Sequence, residues 1–180
     1  DAKRHGVEVR RVDVMSSEWD CMLEGLPHPP AVRLGLRLVV GLKAESALRI
    51  LKARRERPFD GAEDLARRAE IEQHEMTLLA AADALMSLAG HRRQQVWEAA
   101  GQRSAPQLLK QAPVNEEELE LPAAPEGEEV VWDYAATGLT LRRHPLAILR
   151  PVLAKQGWRT AAELHDLPDG RLAQACGIVT

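Results

Sequence analysis

Cysteine and aromatic residues are both scarce in this sequence, and each shortage excludes something. Two cysteines in 180 residues, Cys21 and Cys176, supply neither a disulfide framework nor a zinc-binding spacing. Aromatics make up 3% of the chain, four Trp with one Tyr and one Phe, so a core has to be built from Leu, Ala and Val and is expected to be mostly helical. No apolar run approaches the ~20 residues that span a bilayer, and no secretory leader is visible. No membrane partner is expected, and the cytoplasm is the expected compartment. The six histidines, His5, His28, His74, His91, His144 and His165, are scattered, with no His-Glu-x-x-His or Cys/His spacing. A glycine-rich phosphate loop and a nucleophile elbow are missing too. No residue is nominated as catalytic or as a metal ligand, and no cofactor is expected.

What is present is ordinary for a globular protein: 45% hydrophobic and 28% charged residues. The net charge of -3 hides an uneven distribution. Between Arg33 and Arg68 there are ten Lys/Arg against five Asp/Glu, and between Gln111 and Asp133 eight acids and no base. A nucleic-acid partner for the first half is compatible with that pattern, as is a pair of solvated segments. The chain begins with Asp and stops at "ACGIVT", which reads as an unfinished strand, so a piece of a larger protein is expected.

Periodicity divides the chain. "HGVEVRRVDV" alternates and reads as extended, and "GLPHPP", Gly25 to Pro30, closes this opening piece, 1–30. Helical periodicity runs from Ala31 to about Arg93, giving a helical domain over 31–100. The stretch 101–129 is acidic and Pro-rich and reads as a linker. A helical connector follows over 130–168, with Pro145 placed to open a helix, and a strand start over 169–180.

The run "LRLVVGLKAESALRIL", Leu36 to Leu51, reads as two helices joined by a tight turn. Gly41 can take a positive φ at no steric cost, Leu42 plugs the gap, and small Ala47 lets the helices cross closely. The second helix then begins with free amides pointing outward, at a positive dipole end that suits a phosphate oxygen. Candidate contacts to a nucleic-acid backbone are therefore Gly41, Leu42, Lys43 and Ala44, with Arg49 and Lys52 adding charge nearby. An αα-hairpin without a ligand is the other reading of the same residues.

This run resembles the helix-hairpin-helix motif, whose usual form has a second glycine where Lys43 stands. "EDLARRAEIEQHEMTLLAAADALMSL" reads as a second copy. Its turn, Glu70 to His74, has no glycine, and Glu70, Glu72 and nearby Glu75 would repel phosphate, so this copy is expected to pack rather than bind.

Over nearly its whole length the chain resembles one region of bacterial C-family DNA polymerases, relatives of the polymerase III alpha subunit, and within them the error-prone branch. The runs that carry the resemblance, in order, are "HGVEVRRVDV", "VRLGLRLVVGLKAESALRIL", "RPFDGAEDLARR", "ADALMSLAGHRRQQVWEA", "WDYAATGLTLRRHPLAILR" and "LPDGRLAQACGIVT". The resemblance implies a mainly α fold: the end of the polymerase fingers over 1–30, a tandem helix-hairpin-helix DNA-binding domain over 31–100, the linker and connector, and the first strand of a truncated OB fold. It implies a parent DNA-directed DNA polymerase, a nucleotidyltransferase in damage-tolerant translesion synthesis, DNA repair and DNA replication. The partner implied is double-stranded template–primer DNA, gripped without sequence specificity. The palm aspartates and their Mg2+ ions would lie upstream, so this piece should be inactive alone. Met15 and Lys43 stand where the family more often has Asn and Gly. Asp83 replaces a family glycine, and Asp tolerates the left-handed region. A competing reading makes the region a protein–protein platform for mutasome accessory proteins or the sliding clamp, its hairpins only structural.

Overall fold

The computed structural model describes residues 2–25, 30–101 and 121–177, which fall into two units, 1–141 and 142–180. It is mainly helical, as expected, with a small sheet in the first unit.

The sheet contains β1 (Val9–Arg10), β2 (Met22–Glu24) and β3 (Ala31–Arg33) in the order β1-β3-β2. Val9 pairs with Val32 in parallel, and Leu23 pairs with Val32 in antiparallel register. This corrects the expectation that helical structure begins at Ala31. The amides of Val32 and Leu34 reach Glu8 and Arg10 carbonyls at 2.8 and 3.0 Å, and Arg33 Nε reaches Glu24 across the sheet at 2.9 Å. Pairing to distant segments outweighs the local apolar spacing. The first helix of the expected hairpin also shrinks, to a single 3-10 turn at Leu36–Leu38. Tight packing upstream of it explains part of this: a Cβ on Gly35 would lie 2.4 Å from the Trp19 carbonyl oxygen.

Five helices then build the core: α1 (Ala44–Glu56), α2 (Ala62–Arg68), α3 (Gln73–Ala81), α4 (Met86–Ala89) and α5 (Arg92–Gly101). α1 buries Ala47, Ile50, Leu51 and Ala53, whereas Leu48, which the apolar spacing groups with Ala47, Ile50 and Leu51, is exposed. These meet Leu36, Leu65, Met76, Leu79 and Leu85, all fully buried.

Both α2 and α3 end with a residue in the left-handed region. Glu70 has φ +51, and the Ile71 amide returns to the Ala66 carbonyl at 2.9 Å. Asp83 has φ +58, and the amides of Asp83 and Ala84 return to Ala80 and Leu79 at 3.0 and 2.9 Å. These are Schellman closures at which glycine is the usual residue. Asp83 fills the glycine position as its chemistry predicts.

α6 (Glu126–Thr137) begins inside the stretch expected as linker to 129. Three glutamates in its first turn favour the helix dipole, which makes part of the acidic run a helix start. Residues 102–120 of that stretch lie outside the described residues, as do 26–29 of the turn cluster. Arg92, its side chain 1% exposed, reaches Glu129 at 3.1 Å and bonds to Asp133, with Asp83 at 4.0 Å. This ionic cluster fastens α6 to α3 and α5. Beside it, Val40, Leu78, Val96, Trp97 and Ala136 line an apolar cavity of about 590 Å³.

In the second unit α7 (Pro145–Lys155) starts at Pro145 as predicted, and His144 Nδ1 accepts the Leu146 amide at 3.2 Å. α8 (Ala161–His165) is opened by a capping box between Thr160 and Glu163. Among the described residues of the 169–180 segment there is no strand, only an isolated bridge between Arg159 and Ala175; residues 178–180 lie outside the described residues.

Candidate nucleic-acid interface

The turn between the 3-10 helix and α1 is closed by one bond, from the Leu42 amide to the Val39 carbonyl at 3.1 Å. Gly41 is the third residue of that turn with φ +85, the geometry of a type II turn. Its Cα faces α3, where an added Cβ would stand 3.2 Å from Leu78 Cδ1. The Val40 amide is bound by the Ala136 carbonyl of α6 at 2.9 Å. Leu42 plugs the core, 8% exposed, and Ala47 is fully buried where the elements cross, both as the sequence predicts.

Lys43 is the N-cap of α1, extended, with no side-chain cap bond. The first helical bond runs from the Ala47 amide to Lys43 O at 3.2 Å. Among the described residues, the amides of Gly41, Lys43 and Ala44 therefore have no protein acceptor, and all three residues are exposed. Of the four donors expected, Leu42 drops out because closing the turn requires its amide.

Charge is distributed differently from the sequence count. All eight arginines between Arg33 and Arg68 pair with a carboxylate: Arg33 with Glu24, Arg37 with Asp20, Arg49 with Glu75, Arg54 and Arg55 with Glu18, and Arg57, Arg67 and Arg68 with Asp64. Among the described residues Lys43 and Lys52 stand outside these pairs. Arg49, expected beside the phosphate site, turns instead to the second hairpin. Its Nε and Nη2 donate to the Ala69 and Glu70 carbonyls at 3.0 and 3.2 Å, and Nη2 lies 3.3 Å from Glu75. An arginine satisfied by carbonyls and a carboxylate on three sides is a strut. Lys52 is exposed but sits eight residues beyond Ala44, about 12 Å along the helix at 1.5 Å per residue. It borders a separate depression with Trp19 and Leu48. Gly41, Lys43 and Ala44 are brought together; Lys52 is not brought to them.

Ser46 and Glu75 were not candidates from sequence, yet both stand at this helix start. Ser46, the third residue of α1, donates its hydroxyl to Glu75 Oε1. Glu72 and Glu75 also form the reciprocal capping box of α3. Burial alone would raise the Glu75 pKa. The hydrogen bonds from Ser46 and the Glu72 amide, with the charges of Arg49 and Lys43, outweigh burial and hold it below the usual carboxylate range. The legible signal was the spacing of three between Ser46 and Arg49, which puts both on one face of α1.

Among the described residues no cluster of His, Cys, Asp or Glu is placed to hold a metal ion, and no helix is long and apolar enough to cross a membrane.

Comparison with known proteins matches residues 6–95 to the family model described as a helix-hairpin-helix motif. The chain is 51% identical over all its length to the error-prone DNA polymerase of Bordetella parapertussis, of which it spans 17%. It is 50% identical over all its length to that of Azoarcus sp., spanning 18%, and 44% identical over 99% of its length to that of Methylococcus capsulatus, spanning 19%. The chain thus covers less than a fifth of each relative.

Proposed function

Given that the chain belongs to the helix-hairpin-helix family and that its relatives are named error-prone DNA polymerase, we propose that it is the region with which such a polymerase grips template–primer duplex. The observation that carries this reading is the open helix start: three exposed residues, Gly41, Lys43 and Ala44, whose amides have no acceptor among the described residues, beside an unpaired lysine. Amides and a point charge recognise a phosphate and carry no information about base sequence, so the grip is sequence-independent. Two or three phosphates per contact make binding weak for the isolated region. Tethering to a polymerase active site raises the effective concentration and makes a weak contact useful. The parent activity is template-directed nucleotidyl transfer, with catalytic aspartates and Mg2+ outside this region, in translesion synthesis and repair.

Fluorescence anisotropy with labelled duplexes of unrelated sequence tests this. The expected result is equal affinity for each sequence and a loss of about tenfold in Lys43→Glu. Equal binding by the variant overturns the phosphate contact. The second reading, a docking platform for accessory proteins or the sliding clamp, is favoured by the exposure of Trp97 and Val131, 55% and 66%. Undetectable duplex binding at low salt, unchanged in Lys43→Glu, supports that reading instead.

A further inference from the structure

An anion already stands at the first turn of α1, and it belongs to the protein. Glu75 Oε1 accepts the hydroxyl of Ser46, the third residue of the helix. Its Oε2 accepts the Glu72 amide at 3.0 Å and faces Arg49 Nη2 at 3.3 Å. Arg49 is fixed in turn by the Ala69 and Glu70 carbonyls, so the turn of the second hairpin holds guanidinium and carboxylate as one unit. The Glu75 side chain is 12% exposed, which leaves its charge poorly screened by water. Arg49 is engaged with it, so Lys43 is the remaining cation at the helix start, opposed by Glu75 and by exposed Glu45.

We propose that Glu75 sets the strength of the duplex grip: a resident carboxylate that opposes the incoming phosphate and keeps the contact weak enough to release as the duplex advances. This rests on the duplex-gripping reading above. Two negative charges near one helix start repel, most strongly where protein excludes water and least in high salt. A purely structural role for Glu75 makes the opposite prediction, because loosening the first turn of α1 would weaken binding.

Glutamine separates the two roles, since a capping box accepts Glu or Gln at this position. Glu75→Gln keeps its single carbonyl oxygen for the Glu72 amide, turns its NH2 to Ser46 Oγ, which then accepts where it donated, and removes the charge. Glu75→Asp keeps the charge and shortens the reach. Duplex anisotropy is measured for wild type, both variants and Lys43→Glu at about 50 mM and about 200 mM salt, with melting curves alongside. Glu75→Gln is expected to bind about threefold to tenfold tighter at the lower salt, with a smaller gain at the higher, and to melt like wild type. Glu75→Asp is expected to bind within about twofold of wild type. If Lys43→Glu binds about tenfold more weakly than wild type, but Glu75→Gln gains nothing, the proposal falls and the duplex reading stands. It falls likewise if Glu75→Asp tightens as much as Glu75→Gln, or if Glu75→Gln melts well below wild type. Absent binding by wild type removes both.

Discussion

Gly41 and Leu78 join the two hairpins through a close contact: a Cβ on Gly41 would lie 3.2 Å from Leu78 Cδ1, which would have to give by a few tenths of an ångström. The same glycine has φ +85, so an alanine there meets both a backbone penalty and a crowded neighbour. Gly41→Ala is expected to lose about 1–2 kcal/mol of stability, read as a lower midpoint in urea. Because the turn also aims the open amides, duplex affinity should fall in the folded variant.

Glu70 occupies a left-handed helix terminus where glycine carries no Cβ penalty. Its carbonyl, not its side chain, serves Arg49. Glu70→Gly is therefore expected to stabilise the protein by about 0.5–1 kcal/mol, a rise of about 1–4 °C in Tm by calorimetry. Glycine's extra freedom in the unfolded chain keeps the gain modest.

Arg92 is buried among Asp83, Glu129 and Asp133 and stacks on Trp132 at 5.9 Å. Arg92→Met would remove the buried cation that Asp83, Glu129 and Asp133 share, although Asp83 keeps its ion pair with Arg11 at 2.6 Å. The expected loss is about 3–5 kcal/mol by urea denaturation. Proteolysis should reach α6 more readily in the variant, since this cluster fastens that helix.

Asp64 is held well below its ordinary value of 3.8, at about 2, by a hydrogen bond from Arg67, then by Arg68, the Asp60 amide and the charge of Arg57, against an opposing effect of burial. Its folded pKa is depressed, so its contribution is complete above about pH 4 and disappears as pH falls towards 2. Melting temperature followed from pH 7 to pH 2 should fall over that window in wild type. Asp64→Asn should start lower at neutral pH and fall less steeply there.

Local signals were legible where one residue type answers one need. Gly41 in its turn, Leu42 and Ala47 in the core, Pro145 at a helix start and Asp83 in the left-handed region follow from their own chemistry. Long-range pairing was not legible. Ala31–Arg33 has helical spacing but joins strands on both sides, and Val40 is bound by Ala136 almost a hundred residues on. The basic excess of the first half was legible as a count and misleading as a field, because its arginines find carboxylates in other segments such as Glu18, Glu24 and Glu75. In the sequence Glu70 is a charge that repels phosphate; its backbone conformation gives it a second role that charge cannot reveal.

The most direct measurement is duplex affinity as a function of salt. If exposed amides at the start of α1 and the charge of Lys43 hold backbone phosphates, log affinity falls linearly with log salt at a slope of about -2 to -3, from roughly -0.9 per phosphate, and Lys43→Glu makes it shallower by about 1. A slope near zero, or one that Lys43→Glu leaves untouched, contradicts that claim.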